Sequence, residues 1–167
     1  TYIGGKAFAA PIRGLADNGK GGTTAFSHGN GADRRIGLDG AFLLEGNGCT
    51  HVTDASEILP IPGGSVIAGG HAGGKAGVCQ RNDKLQTVFT TDVSFNCPGC
   101  KTVVMDLARF GNGSLRALVA ATKASEGADL VRLSNSGKVT WRRAVVYVND
   151  SFDARAVELY GDGSSLL

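Results

Sequence analysis

The sequence predicts an all-β fold built from repeated four-stranded antiparallel units. Three observations carry this. Glycine supplies 26 of 167 residues, against only 4 prolines and with no Gly-X-Y period; the usual share is ~7%. Tight-turn triplets recur between apolar, β-prone runs at Asp17-Asn18-Gly19, Pro62-Gly63-Gly64, Gly111-Asn112-Gly113 and Gly161-Asp162-Gly163, with their last glycines 45, 49 and 50 residues apart. Glycine also interrupts nearly every helix-length window, and each helix-interior glycine costs about 1 kcal/mol. Four-stranded units at this period are the blades of a β-propeller.

The elements follow in order from turn chemistry, since such triplets supply the positive φ that hairpin loops demand. After the first triplet comes Thr23-Thr24-Ala25-Phe26. After the others come Ser65-Val66-Ile67-Ala68, Ser114 to Val119, and Ser164-Ser165-Leu166-Leu167. A second hairpin then follows. Gly31 to Ile36 leads through Gly37-Leu38-Asp39-Gly40 to Ala41-Phe42-Leu43-Leu44. Gly77 to Gln80 leads through Asn82-Asp83-Lys84 to Leu85–Phe89. Gly127 to Leu133 leads through Asn135-Ser136-Gly137 to Lys138–Trp141. Val103 to Phe110 has helix-forming Met, Leu and Ala, but its equivalents contain Pro11 or Pro60, so it reads as a strand. The chain is thus one repeat domain over 1–167, with blades at about 7–46, 52–92 and 101–148. A partial blade at 151–167 is left, with residues 1–6 as the strand to complete it.

The run Gly127-Ala-Asp-Leu-Val-Arg-Leu-Ser-Asn-Ser-Gly-Lys-Val-Thr-Trp141, followed by Asp153-Ala154-Arg155-Ala156-Val157 and Gly161-Asp162-Gly163-Ser164, resembles the bacterial β-propeller repeats of the SBBP and PQQ-like type. The resemblance is clearest over 101–167, fair over 52–92 and loose over 7–46. It implies a fold rather than a function. It does not extend to an enzyme site, because the adjacent Cys-Cys pair of the quinoprotein dehydrogenases is absent.

Charge and length limit the function classes. With 17 basic and 15 acidic residues the net charge is +2, too balanced for a phosphate-binding surface. Aromatics at 7% argue against base-stacking platforms. No run approaches the ~20 apolar residues of a membrane span. The chain opens at Thr1 without a signal-type segment and stops within a strand-like run, so both ends read as cut.

Within a blade, strand direction alternates. The first and third hairpin turns therefore share one face, and the second loop and inter-blade connections share the other. That second face is expected to collect Cys49, Cys79, Cys97, Cys100, His51 and His71. Three readings compete for the cysteines. An even count in a loop-rich chain favours two disulfides, Cys49–Cys79 and Cys97–Cys100 being the preferred connectivity. A zinc site would draw on Cys49, His51, Cys97 and Cys100, although the Cys49-x-His51 spacing is shorter than usual. A redox motif at Cys97-Pro98-Gly99-Cys100 would want a helix after it, where a strand is expected. Asn112 and Asn149 head two glycosylation sequons, and Asn112-Gly113 is equally a good hairpin turn. Asp-Gly and Asn-Gly turns suggest calcium only weakly, for want of a D-x-[DN]-x-[DN]-G run. Gly69 to Lys75 is not a phosphate loop, since no helix follows it. Trp141 is expected in inter-blade packing.

The function these features point to is a non-enzymatic extracellular or periplasmic structural or interaction module, with no catalytic residues and no cofactor. Its partners are other protein chains, as a homo-oligomer or the remainder of a propeller, and neither nucleic acid nor a membrane span is implied. The assembly edges are Thr1, Tyr2 and Ile3 at one end and Ser164, Ser165, Leu166 and Leu167 at the other, uncharged and strand-prone. Alternatives are a secreted enzyme or enzyme subunit with its site on the cysteine-bearing face or in blades outside this chain, and a carbohydrate-binding lectin.

Overall fold

A computed structural model describes residues 2–3, 6–7, 12–17, 23–29, 32–36, 42–47, 49–95, 101–121, 127–145, 158–159 and 165–166. Among these, strands carry almost everything, and the helical content is one short 3-10 turn at Ala72–Gly74. The fold is all-β, as expected.

The first four-stranded sheet comprises β3 (Ile12–Asp17), β4 (Thr23–Gly29), β5 (Ala32–Ile36) and β6 (Phe42–Asn47). The second comprises β7 (Asp54–Ile61), β8 (Gly64–His71), β9 (Lys75–Asn82) and β10 (Thr87–Asp92). The third comprises β11 (Thr102–Arg109), β12 (Leu115–Ala121), β13 (Ala128–Leu133) and β14 (Val139–Val145). All three are antiparallel and hydrogen-bonded in chain order, as consecutive hairpins require. Val103–Arg109 is strand, despite its helix-forming residues, because it forms the first strand of a sheet.

Two short hairpins flank the sheets. β1 (Tyr2–Ile3) pairs with β2 (Lys6–Ala7), and β15 (Glu158–Leu159) pairs with β16 (Ser165–Leu166). Tyr2 faces Ala7 and Ile3 faces Lys6. Each flanking hairpin forms its own two-stranded sheet among the described residues.

The three large sheets repeat in detail. The first strand of each carries one register shift near its start: between Ile12 and Gly14, between Ala55 and Glu57, and between Val104 and Asp106. Such a bulge bends the strand and sharpens its twist. The third–fourth strand pair of each sheet also has a shift. β7 packs between β3 and β11, so the first strands stand side by side. Gly14 marks the closest approach: a Cβ there would lie 2.5 Å from the Ile58 carbonyl oxygen.

The second sheet is apolar on both faces, which explains why its strands lack a simple polar alternation. Val66, Ala68, Ala76 and Val78 face Val104, Leu107, Leu115, Ala117, Val119, Val131 and Leu133 of the third sheet. Successive strand residues point to opposite faces, so Ile58, Ile67 and Cys79 face the other way, with Cys49, Val52 and Ala55. The third sheet buries Leu118, Ala128 and Leu130 on its far face, with Met105, Ala120, Trp141 and Val145 around them.

Polar ties cross the gap between the second and third sheets. Ser56, at the bulge in β7, donates its hydroxyl to the Val104 carbonyl at 2.5 Å. Thr91 Oγ1 donates to the Gly137 carbonyl at 2.7 Å. Arg142 on β14 donates to Val93 O at 2.7 Å and Ser94 O at 3.1 Å beyond β10, and within its own sheet to Asp129 Oδ2 at 3.1 Å.

Gly137 has φ +83, and a Cβ there would overlap the Phe89 ring across the sheet gap. Gly137→Ala is expected to cost about 2 kcal/mol from backbone strain and overpacking together. Gly111→Ala meets nothing within 4 Å and should stay within about 0.5 kcal/mol of the parent. Urea unfolding of the two variants checks the contrast; equal stabilities would contradict the packing described.

Candidate functional site

The structure treats the sequence-predicted residues unevenly. Cys49 and Cys79 form a disulfide. Cys79 had been placed near a strand start on the loop face. It lies in the interior of β9, opposite Ile67 and Thr90, and is fully buried. Cys49 is 4% exposed, in the connection after β6. The bridge thus pins that connection to the middle of the second sheet. It also uses the sulfur that the alternative zinc set would have needed as a Cys49 thiolate. Cys97, Cys100 and Asn149 lie outside the described residues, as do Thr1, Ser164 and Leu167. Tyr2 and Ile3 lie in β1, and Ser165 and Leu166 in β16.

His51 sits beside the bridge, its backbone and Cβ against Gly77, where any side chain at 77 would overlap them. His71 ends β8 and pairs with Lys75. Close by, Asp92 Oδ1 accepts from the Ser94 backbone N–H at 2.8 Å and from its hydroxyl at 2.5 Å. Lys75 Nζ stands 3.8 Å from Asp92 Oδ2. Partial burial pushes this carboxyl up. The Ser94 hydrogen bonds and the charges of Lys75 and His51 outweigh burial and hold it below its ordinary value. At this end the polar groups are tied to one another.

The opposite end of the third sheet is different. There the β11–β12 and β13–β14 turns lie on one face, as strand alternation predicts, and enclose a cleft of about 360 Å³. It is lined by Asn112, Ser114, Arg132, Ser134, Asn135 and Thr140. The turns are built by their own side chains. Asn112 Oδ1 accepts from the Ser114 N–H at 3.0 Å and the Ser114 hydroxyl at 2.7 Å, an Asx-type turn. Gly113 takes φ +85, which favours glycine. Ser134 Oγ accepts from Lys138 N–H at 3.1 Å and meets Ser136 Oγ at 2.9 Å. Thr140 Oγ1 donates to the Arg132 carbonyl at 3.2 Å.

Cations and aromatic rings stack behind the cleft. The Arg116 guanidinium lies 5.0 Å from the Phe110 ring and 5.3 Å from the Trp141 ring. Arg132 lies 5.3 Å from Phe110, and Arg143 lies 5.5 Å from Trp141. Such stacking stabilises a cation by the ring quadrupole. Arg116 and Arg132 are direct cross-strand partners, a like-charge arrangement that is unfavourable by itself. Burial, followed by the Arg132 charge, pushes the Arg116 guanidinium down from its ordinary value. Sequence reasoning missed this cleft, having weighed Asn112 only as a sequon and a turn. The available signal was Arg132, two residues ahead of a turn that shares its face with Asn112.

No family model matches the chain, and no curated protein matches it. Among solved structures it is similar to a protein of unknown function from Bacteroides caccae, at 21% identity and a TM-score of 0.53. The match covers 81% of this chain and 50% of that one, so the chain spans about half of the neighbour's length. At this identity the likeness concerns the fold alone. No helix among the described residues is long and apolar enough to cross a membrane. The disulfide is of the kind that forms and persists in oxidising compartments.

Replacing Cys49 and Cys79 together by Ala should cost about 3.6 kcal/mol, the chain-entropy expectation for a bridge with a 30-residue separation. Chemical denaturation measures it; a loss below about 0.5 kcal/mol would mean that the bridge constrains nothing.

Asp92 has a folded pKa below its unfolded value of about 3.9. Its contribution is therefore present above that pH and is lost as pH falls through the folded value. The stability gap between the parent and Asp92→Ala should shrink as pH falls below about 4. A gap that stays unchanged below that pH would contradict the assigned contacts.

Proposed function

We propose that the chain is a run of β-propeller blades serving as a non-enzymatic extracellular or periplasmic interaction module within a larger assembly. One observation carries this reading. Three four-stranded sheets with matching bulges pack face to face through their first strands, and the third remains apolar on its far face. Blades of a propeller are two-faced in this way because each is sandwiched by neighbours. The Cys49–Cys79 bridge supports an oxidising location.

The balanced charge and the strand-prone ends support partners that are other protein chains. β16 carries Ser165 and Leu166 without charge or proline, and unpaired edges of that kind recruit strands. The contact joins different edges of neighbouring copies, so it is heterologous and builds a ring or a filament according to its rotation.

Static light scattering of the isolated chain at micromolar concentration tests the reading. The expected result is a mass above that of one chain, reduced to a monomer by Leu166→Asp at the edge. A stable monomer whose mass and thermal stability are unchanged by deleting residues 1–6 would overturn it.

A further inference from the structure

We propose that the cleft between the two hairpin turns of the third sheet binds the carboxylate of a small polyhydroxylated acid, in chemical class a sugar acid, with Arg132 as its charge partner. This goes beyond the propeller reading and does not require any ring to close. The scattering result and the binding result can therefore fail separately.

The chemistry of the lining selects the ligand. Arg132 presents a guanidinium with no carboxylate partner among the described residues. Among the described residues, none that lines the cleft is acidic. The Asn112 carbonyl oxygen is consumed by Ser114, which leaves the amide N–H groups as the part its own turn does not use. The β13–β14 turn is closed by Ser134 rather than by Asn135. No hydrogen bond of the Asn135 amide is formed among the described residues.

The cleft is thus rich in donors around the Arg132 guanidinium. An anionic oxygen pair would answer it, since guanidinium and carboxylate match as a planar fork. Around that point stand the hydroxyls of Ser114, Ser134 and Thr140, groups that donate and accept and so suit ligand hydroxyls. A volume of about 360 Å³ lies at the small end of ligand clefts. It has room for one sugar-sized acid.

The test titrates the ¹⁵N-labelled full chain with sodium glucuronate, glucose and sodium sulfate at matched ionic strength, followed by NMR and calorimetry. Glucuronate should shift the amide signals of Asn112 to Ser114 and of Arg132 to Lys138 in a saturable way. Glucose, which keeps the hydroxyls and lacks the charge, should bind about tenfold or more weakly, the loss expected for a charge-assisted hydrogen bond. Arg132→Gln should lose glucuronate affinity by the same factor. Asn135→Asp, on an exposed turn where folding is not at stake, should also weaken it by placing a carboxylate at the rim. That variant decides the matter if Arg132→Gln does not fold. Equal affinity for glucose and glucuronate, sulfate binding as tight as glucuronate, unchanged affinity in Asn135→Asp, or no saturable shift with glucuronate would each overturn the proposal.

Discussion

Burial of both faces of a sheet is the constraint from which the rest of this structure follows. In β8, Val66 and Ala68 point toward the third sheet while Ile67 points toward the disulfide. Each such aliphatic side chain contributes roughly 1.5–3 kcal/mol only when it is fully removed from water. A lone sheet of this composition would leave both apolar faces wet. The sheets must therefore stack, and stacking demands that their first strands approach closely. Gly14 against the Ile58 carbonyl and the bulges at equivalent places in β3, β7 and β11 make that approach possible. Strand order, twist and side-chain direction then repeat from sheet to sheet.

Apolar burial is non-directional, so it does not by itself set how one sheet sits on the next. Directional ties do that here. Ser56 leaves the β7 bulge for the Val104 carbonyl, Thr91 reaches Gly137, and Arg142 gathers two carbonyls and Asp129. Each ordinary bond of this kind adds about 1 kcal/mol net, while an orphaned buried partner costs more. The disulfide plays the same part on the other side of the second sheet, holding the incoming connection against β9.

The cleft is a consequence of this scaffold. Hairpin turns from β11–β12 and β13–β14 emerge side by side because their strands are paired in register, Leu115 opposite Leu133 and Arg116 opposite Arg132. The rigid sheet brings Arg132 to the cleft with Arg116 behind it, and Phe110 and Trp141 hold them by their ring faces. Polar turn residues on a fixed frame are where binding groups are commonly found.

Much of the fold was legible because its signals are local. Turn triplets such as Pro62-Gly63-Gly64 act over three or four residues, and the apolar runs beside them have nowhere to go except into hairpins. The preferred partner for Cys49 was also readable, from an even cysteine count and the sharing of a face. Other features were not. Cys79 was expected near a strand start and lies in mid-strand, because register depends on pairing with β8 and β10 rather than on β9 alone. The N-terminal hairpin, the repeated bulges, the 49-residue reach of Arg142 to Val93 and the convergence of Arg132 with Asn112 all depend on contacts between distant segments. Sequence alone determined that this chain is all-β, where its turns fall and how its strands group into fours, since backbone freedom at glycine and side-chain periodicity act within a few residues. Only the tertiary structure decided which faces meet, what the disulfide fastens and where the cationic cleft opens, because those outcomes arise when burial brings together residues that no local preference relates.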